Sequence, residues 1–165
     1  MQKYIDAGTP GPNHKKLNVF VGKWITSSEE AQGEGKPPVI SKGSAEIKWV
    51  NENRFLQFTT SGTQFGMPFV SVSLMGYNNL RKKISSVWSD NSSTSFFISE
   101  GTIDEQGDLI TLFGKTDDPA TGEFDKAWKV IWRLSPNRLV QEYHDISNDK
   151  TKQTKMFEIV FERAK

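Results

Sequence analysis

From Lys126 to Arg133 the chain reads Lys-Ala-Trp-Lys-Val-Ile-Trp-Arg, so in an extended chain Trp128, Val130 and Trp132 share one side and Lys129 and Arg133 the other. Side chains of a strand alternate between faces, so a period of two with one apolar side marks a half-buried strand. The pattern recurs where Phe157, Ile159 and Phe161 oppose Glu158 and Glu162, where Ala45, Ile47 and Trp49 oppose Glu46 and Lys48, and where Leu56 and Phe58 flank Gln57. About ten strand-like segments follow one another: Lys23 to Glu30, Ser44 to Val50, Arg54 to Ser61, Pro68 to Tyr77, Lys82 to Ser89, Thr94 to Ile103, Asp108 to Gly114, Lys126 to Leu134, Arg138 to Ser147 and Thr154 to Arg163. Short turn sequences separate most of them, among them Asn51-Glu52-Asn53, Asn78-Asn79, Asp104-Glu105-Gln106-Gly107 and Ser135-Pro136-Asn137. Links this short join antiparallel neighbours.

One stretch reads as helix. From Asn13, about ten residues place Leu17, Phe20 and Val21 on one stripe, and Gly22 stands where a left-handed C-terminal glycine is expected. Strands with one apolar face and no helix to cover a flat sheet are satisfied by closing into a barrel, which also removes the exposed edges. The expectation is an all-β chain: one domain over 1–165, an antiparallel up-and-down β-barrel of about ten strands, with a short N-terminal helix closing one end and 1–12 as a surface arm. A barrel of that width can leave room for a small ligand.

Charge narrows the partners. The chain carries 21 basic and 20 acidic residues, so no global field draws nucleic acid or an anionic membrane. The clusters His14-Lys15-Lys16 and Arg81-Lys82-Lys83 read as solvated faces. Cysteine is absent, which removes disulfides, thiolate nucleophiles, zinc ribbons and iron–sulfur clusters together. No apolar run is long enough to span a bilayer, and Met1 to Asp6 lacks a signal-peptide core, so a cytoplasmic protein is expected.

The motifs also have a familiar order. His14-Lys15-Lys16-Leu17 runs into Gly22-Lys23-Trp24, followed by Gly66-Met67-Pro68-Phe69, Gly76-Tyr77-Asn78-Asn79 and Ser86-Val87-Trp88-Ser89-Asp90 with Ser93-Thr94. Then come Asp117-Asp118-Pro119-Ala120-Thr121-Gly122, Glu142-Tyr143 and Lys155-Met156-Phe157-Glu158-Ile159. Over nearly the whole chain this resembles the bacterial domain-of-unknown-function 1579 family. The resemblance implies a lipocalin-like, calycin-type barrel entered by a helix, and it brings no catalytic residues because that family has no established activity. One departure is the loop from Gln32 to Ser41, rich in Gly, Pro and Lys and without an aromatic residue.

The candidate site follows from the barrel. Trp49, Phe58, Ser86, Trp88, Phe96, Trp128, Trp132 and Phe157 are expected to converge on the interior, either filling it or lining a pocket, while Trp24 seals one end. Ser86 alternates with Ile84 and Trp88, so its hydroxyl points inward and needs a partner. The expected function is non-covalent binding of a small hydrophobic or amphipathic molecule. Glu142 and His144 share one strand face and offer two alternatives, acid–base chemistry or axial ligation of haem, if that face is inward. Leu139 and Tyr143 argue for one face inside, Val140 and Ile146 for the other. His14 is expected at the surface or in packing. Asp117, Asp118, Thr121 and Glu123 make a turn sequence without the spacing of a calcium loop, so no metal is expected, nor a resident cofactor. A further alternative is an interaction module, a homodimer formed through an outer sheet face.

Overall fold

The computed structural model describes residues 1–30, 37–64, 66–119, 121–147 and 149–165. Two short helices, α1 (Gln2–Gly8) and α2 (Pro12–Lys16), lead into a 3-10 turn, Leu17–Phe20. Ten strands follow: β1 (Gly22–Glu30), β2 (Val39–Val50), β3 (Phe55–Gln64), β4 (Met67–Asn78), β5 (Lys83–Asp90), β6 (Phe97–Ile103), β7 (Leu109–Asp118), β8 (Glu123–Leu134), β9 (Arg138–Ile146) and β10 (Gln153–Arg163). Each pairs antiparallel with its neighbours in sequence, and β1 pairs with β10, so the meander closes into a barrel. Every expected strand is found. The expected loop from Gln32 to Ser41 lies in part outside the described residues, and its last residues belong to β2, which starts at Val39.

The N-terminal region departs from expectation in three ways. The arm is not irregular: it holds α1, all of it on the surface, and Asn79 Nδ2 fixes its end by donating to the carbonyls of Ala7 and Thr9 at 3.0 and 2.9 Å. The helix of about ten residues is one turn of α-helix that tightens into the 3-10 turn at Leu17. That change of pitch aims both Leu17 and Phe20, each fully buried, into the barrel. Gly22 is not a left-handed cap. Val21 ends the turn in an extended conformation, and Gly22 opens β1 at φ 137°, where a Cβ would stand 2.6 Å from Arg163 Nη1.

One end of the barrel is a packed plug. Phe20 meets Phe58 and Trp132 edge-on with centroids at 5.5 and 5.1 Å, and Trp132 leans on Phe161 at 5.3 Å. Trp24, Ile47, Leu56 and Leu139 complete it, each at most 1% exposed. Side chains of this size contribute about 1.5–3 kcal/mol each on full burial. Polar fastenings hold the plug in register. Trp24 Nε1 donates to the Phe20 carbonyl at 2.8 Å and Trp49 Nε1 to Asn18 Oδ1 at 2.7 Å. The Arg163 guanidinium lies 4.2 Å over the Trp24 ring and donates to the carbonyls of Val21, Val19 and Pro136 at 2.9, 3.1 and 2.7 Å.

Candidate functional site

Strand direction fixes the two ends. The plug sits where β1 begins, so the turns after β5, β7 and β9 surround the opposite end. Following the inward face towards that end, the wall changes character. On β4 to β7 it carries small residues, Ser71, Ser73, Ser86, Ser99, Gly114 and Thr116, linked across the ladders as Ser73 with Trp88, Ser86 with Ser99 and Ser99 with Gly114. Trp88 on β5 stands among them, and across from them are further aromatic side chains: Trp128 on β8, Tyr143 on β9 and Phe157 on β10. These four point inward, and each keeps part of its surface accessible. Tyr143 and Phe157 stack at 4.6 Å and 17°.

Polar groups sit among these rings. Trp128 and Asp145 are cross-strand partners, with Lys126 one step further towards the mouth on the Trp128 face. Lys126 Nζ contacts Asp118 Oδ2 at 2.9 Å and Asp145 Oδ2 at 3.7 Å, and lies 5.3 Å from the centroid of the Trp128 ring. The hydrogen bond to Asp118 lifts the Lys126 ammonium above its usual range, outweighing burial, and the Asp145 charge adds to it. Burial pushes the Tyr143 phenol up, and the charge of Asp90 pushes it the same way. Among the described residues two buried polar atoms, Trp128 Nε1 and Asp145 Oδ1, have no hydrogen-bond partner.

The wall is notched beside these residues. β6 begins only at Phe97, opposite Trp88, and its pairing with β7 reaches no further than Ile98 with Lys115. Beyond that point Asp90 pairs only with Ser71 of β4, and Thr116 only with Lys126 of β8. A cavity of about 520 Å³ occupies the gap, between Asn91 to Ser95 on one side and Asp117, Asp118, Glu123 and Phe124 on the other.

The expected site residues divide. Ser86, Trp88, Trp128 and Phe157 point inward in the upper half of the barrel, whereas Phe58 and Trp132 belong to the plug, Trp49 is tied to Asn18, and Trp24 sits fully buried at the closed end. Phe96 is not inside: it precedes β6 on the loop and is 65% exposed, while Phe97, the next residue, takes the inward place opposite Trp88. Glu142 and His144 are on the outside, because Tyr143 between them faces in. Glu142 pairs across the ladder with Ile131, and His144 with Lys129. There His144 Nε2 meets Glu142 Oε2 at 3.0 Å, and Arg133 donates to Oε1 at 3.0 Å. Burial pushes the Glu142 carboxyl up, but those hydrogen bonds outweigh it and hold it below the usual range. An outward pair can neither do acid–base chemistry on a molecule in the barrel nor ligate haem there, so both alternatives fall.

His14 is buried beneath the barrel end, edge-on to Tyr77 at 5.9 Å, with its Nδ1 accepting from the Gly11 backbone at 3.1 Å. Asp90, Asp118, Lys126, Tyr143 and Asp145 were missed as lining residues. Lys126 was within reach, since stepping back by two from Trp128 lands on it. The others depend on which face of β9 is inward, and only the register with β8 decides that. Among the described residues no group of three or more His, Cys, Asp or Glu side chains is placed to hold a metal, and no helix is long and apolar enough to cross a membrane.

No curated protein matches the chain. Among solved structures, the crystal structure of Rv2717c from M. tuberculosis superposes with a TM-score of 0.65 at 18% identity, over 95% of this chain and 100% of that one. The likeness is one of fold. A family model described as protein of unknown function, DUF1579, matches residues 9–163, and the chain belongs to that family.

Proposed function

We propose that the protein holds a small apolar or amphipathic molecule, non-covalently, in the upper chamber of the barrel. The observation that carries this is the pair of unpartnered atoms among part-open aromatic rings, Trp128 Nε1 and Asp145 Oδ1. A buried donor or acceptor left without a partner costs about 1–3 kcal/mol, and a guest carrying both functions relieves that cost. The rings of Trp88, Trp128, Tyr143 and Phe157 supply the apolar surface, and the small residues opposite supply the space. The notch beside β6 offers a side entrance. A cytoplasmic setting, expected from the sequence, is part of the same proposal.

Native mass spectrometry of freshly purified protein tests it: the expected spectrum holds an adduct that denaturation releases. Absence of any adduct, together with no change in tryptophan fluorescence on titration with amphiphiles, rejects the proposal.

Self-association has an observation of its own. Val70, Val72 and Leu74 face outward on β4 at 52%, 45% and 37% exposure, and the row from Leu74 continues through Val87 to Ile98, itself 65% exposed. Such a stripe fits a second copy of the chain. Light scattering then gives twice the monomer mass, and Val72→Lys returns it to the monomer; a monomeric parent protein removes this reading.

A further inference from the structure

The polar end of the guest follows from the charges on the chamber wall, given the binding role proposed above. Among the described inward side chains of the upper half, Asp90, Asp118 and Asp145 are acidic, Glu123 stands at the rim of the notch, and Lys126 is the one base. Lys126 is already engaged by Asp118 and Asp145. Asp90 spends one oxygen on its own loop, accepting from Ser92 and Ser93. Asp145 keeps Oδ1 buried and unpartnered. The wall therefore carries excess negative charge beside aromatic faces, in a space where fewer waters screen it.

An anionic guest meets that charge unfavourably and finds no unengaged base. A neutral alcohol can donate to Asp145 but leaves the charge uncompensated. A protonated amine does both, and aromatic faces attract it as well. The protein carries a miniature of this arrangement, because the Lys126 ammonium lies over Trp128 between two carboxylates. We infer that the upper chamber selects an amphipathic organic amine, its ammonium directed to Asp145 and its carbon skeleton laid against Trp88, Trp128 and the stacked pair Tyr143 and Phe157.

The test compares three probes of equal chain length at neutral pH: octylamine, 1-octanol and octanoate, each titrated by calorimetry and tryptophan fluorescence. Octylamine is expected to bind roughly tenfold more tightly than 1-octanol, with octanoate weakest, and added salt is expected to narrow the gap. Asp145→Asn is expected to remove most of the amine preference, with an unchanged far-ultraviolet circular dichroism spectrum serving as the check that the barrel is intact. Should that variant fail to fold, the ranking of the three probes on the unaltered protein still decides. Octanoate binding as tightly as octylamine, or an unchanged preference in Asp145→Asn, overturns the amine assignment and leaves the chamber as a binding site. Failure of all three probes to bind overturns both.

Discussion

Replacing Arg163 by Ala removes a side chain that fastens three parts of the chain at the closed end. Its guanidinium donates to two part-buried carbonyls, Val21 at 2.9 Å and Val19 at 3.1 Å, and to the more exposed carbonyl of Pro136 at 2.7 Å. Hydrogen bonds from a charged donor contribute about 1.5–3 kcal/mol each when buried, so the first two together set a floor near 3 kcal/mol. The cation over Trp24 at 4.2 Å adds about 1 kcal/mol, and the exposed bond to Pro136 adds less. Water re-solvates part of what is uncovered, so the expected loss is about 3–5 kcal/mol, a large share of a domain's stability. Urea unfolding followed by far-ultraviolet circular dichroism measures it. Arg163→Lys keeps a charge but reaches fewer carbonyls, and is expected to lose about half as much.

Gly22→Ala provides the sharper check. A Cβ there stands 2.6 Å from Arg163 Nη1 at a backbone φ of 137°, so the substitution pushes the guanidinium off its carbonyls as well as straining the backbone. Its cost should therefore shrink in the Arg163→Ala background, with a coupling of about 1 kcal/mol or more. A loss below about 1 kcal/mol for Arg163→Ala, or strict additivity with Gly22→Ala, refutes the fastening role.

Two phenylalanines with similar expectations in the sequence should part company: Phe58→Ala is expected to cost about 3–5 kcal/mol, and Phe96→Ala to stay within about 0.5 kcal/mol, by the same unfolding assay. Acidification should weaken the fold through His14. Burial pulls that imidazole below its usual range, more than its hydrogen bond to the Tyr77 backbone lifts it. The stabilisation is therefore full above the unfolded value near 6.5 and is lost as pH falls through the lowered one; replacing His14 with Asn should flatten the stability profile in that window. Glu142→Gln and His144→Ala should leave binding in the chamber unchanged, because both side chains are outside; altered affinity in calorimetry contradicts that placement.

The barrel was legible because alternation is local. Trp128, Val130 and Trp132 declare a strand and a face without any knowledge of their neighbours, and short turns then dictate antiparallel order. The plug was legible for the same reason, since Leu17 and Phe20 mark an apolar stripe whatever the pitch of the turn that carries them. β9 was different. Leu139 and Tyr143 face in and Val140 faces out, yet Val140 is only 8% exposed, so apolar residues lie on both faces and alternation is silent. Register with Val130 and Phe157 places Tyr143 inside, and that is information from other strands. Phe96 failed on a boundary. The strand was expected from Thr94, but Asp90 turns the chain by accepting from Ser92 and Ser93, so pairing resumes only at Phe97.

The late start of β6 bears on rates more than on affinities. Closed ladders exchange their amide protons slowly, and a wall with a gap has a place where opening costs little. Amides of Ser89, Asp90, Thr116 and Asp117 border that gap, and local opening there needs no rupture of the plug. A guest of the kind proposed above would then leave on the timescale of such local opening, in about microseconds to milliseconds, while the barrel as a whole unfolds far more slowly. With that binding role, residence time and global stability are therefore expected to be separable: a substitution at exposed Lys115 changes how long a guest stays without changing how firmly the protein is folded, whereas one at Phe97 changes both, because that ring packs against the core.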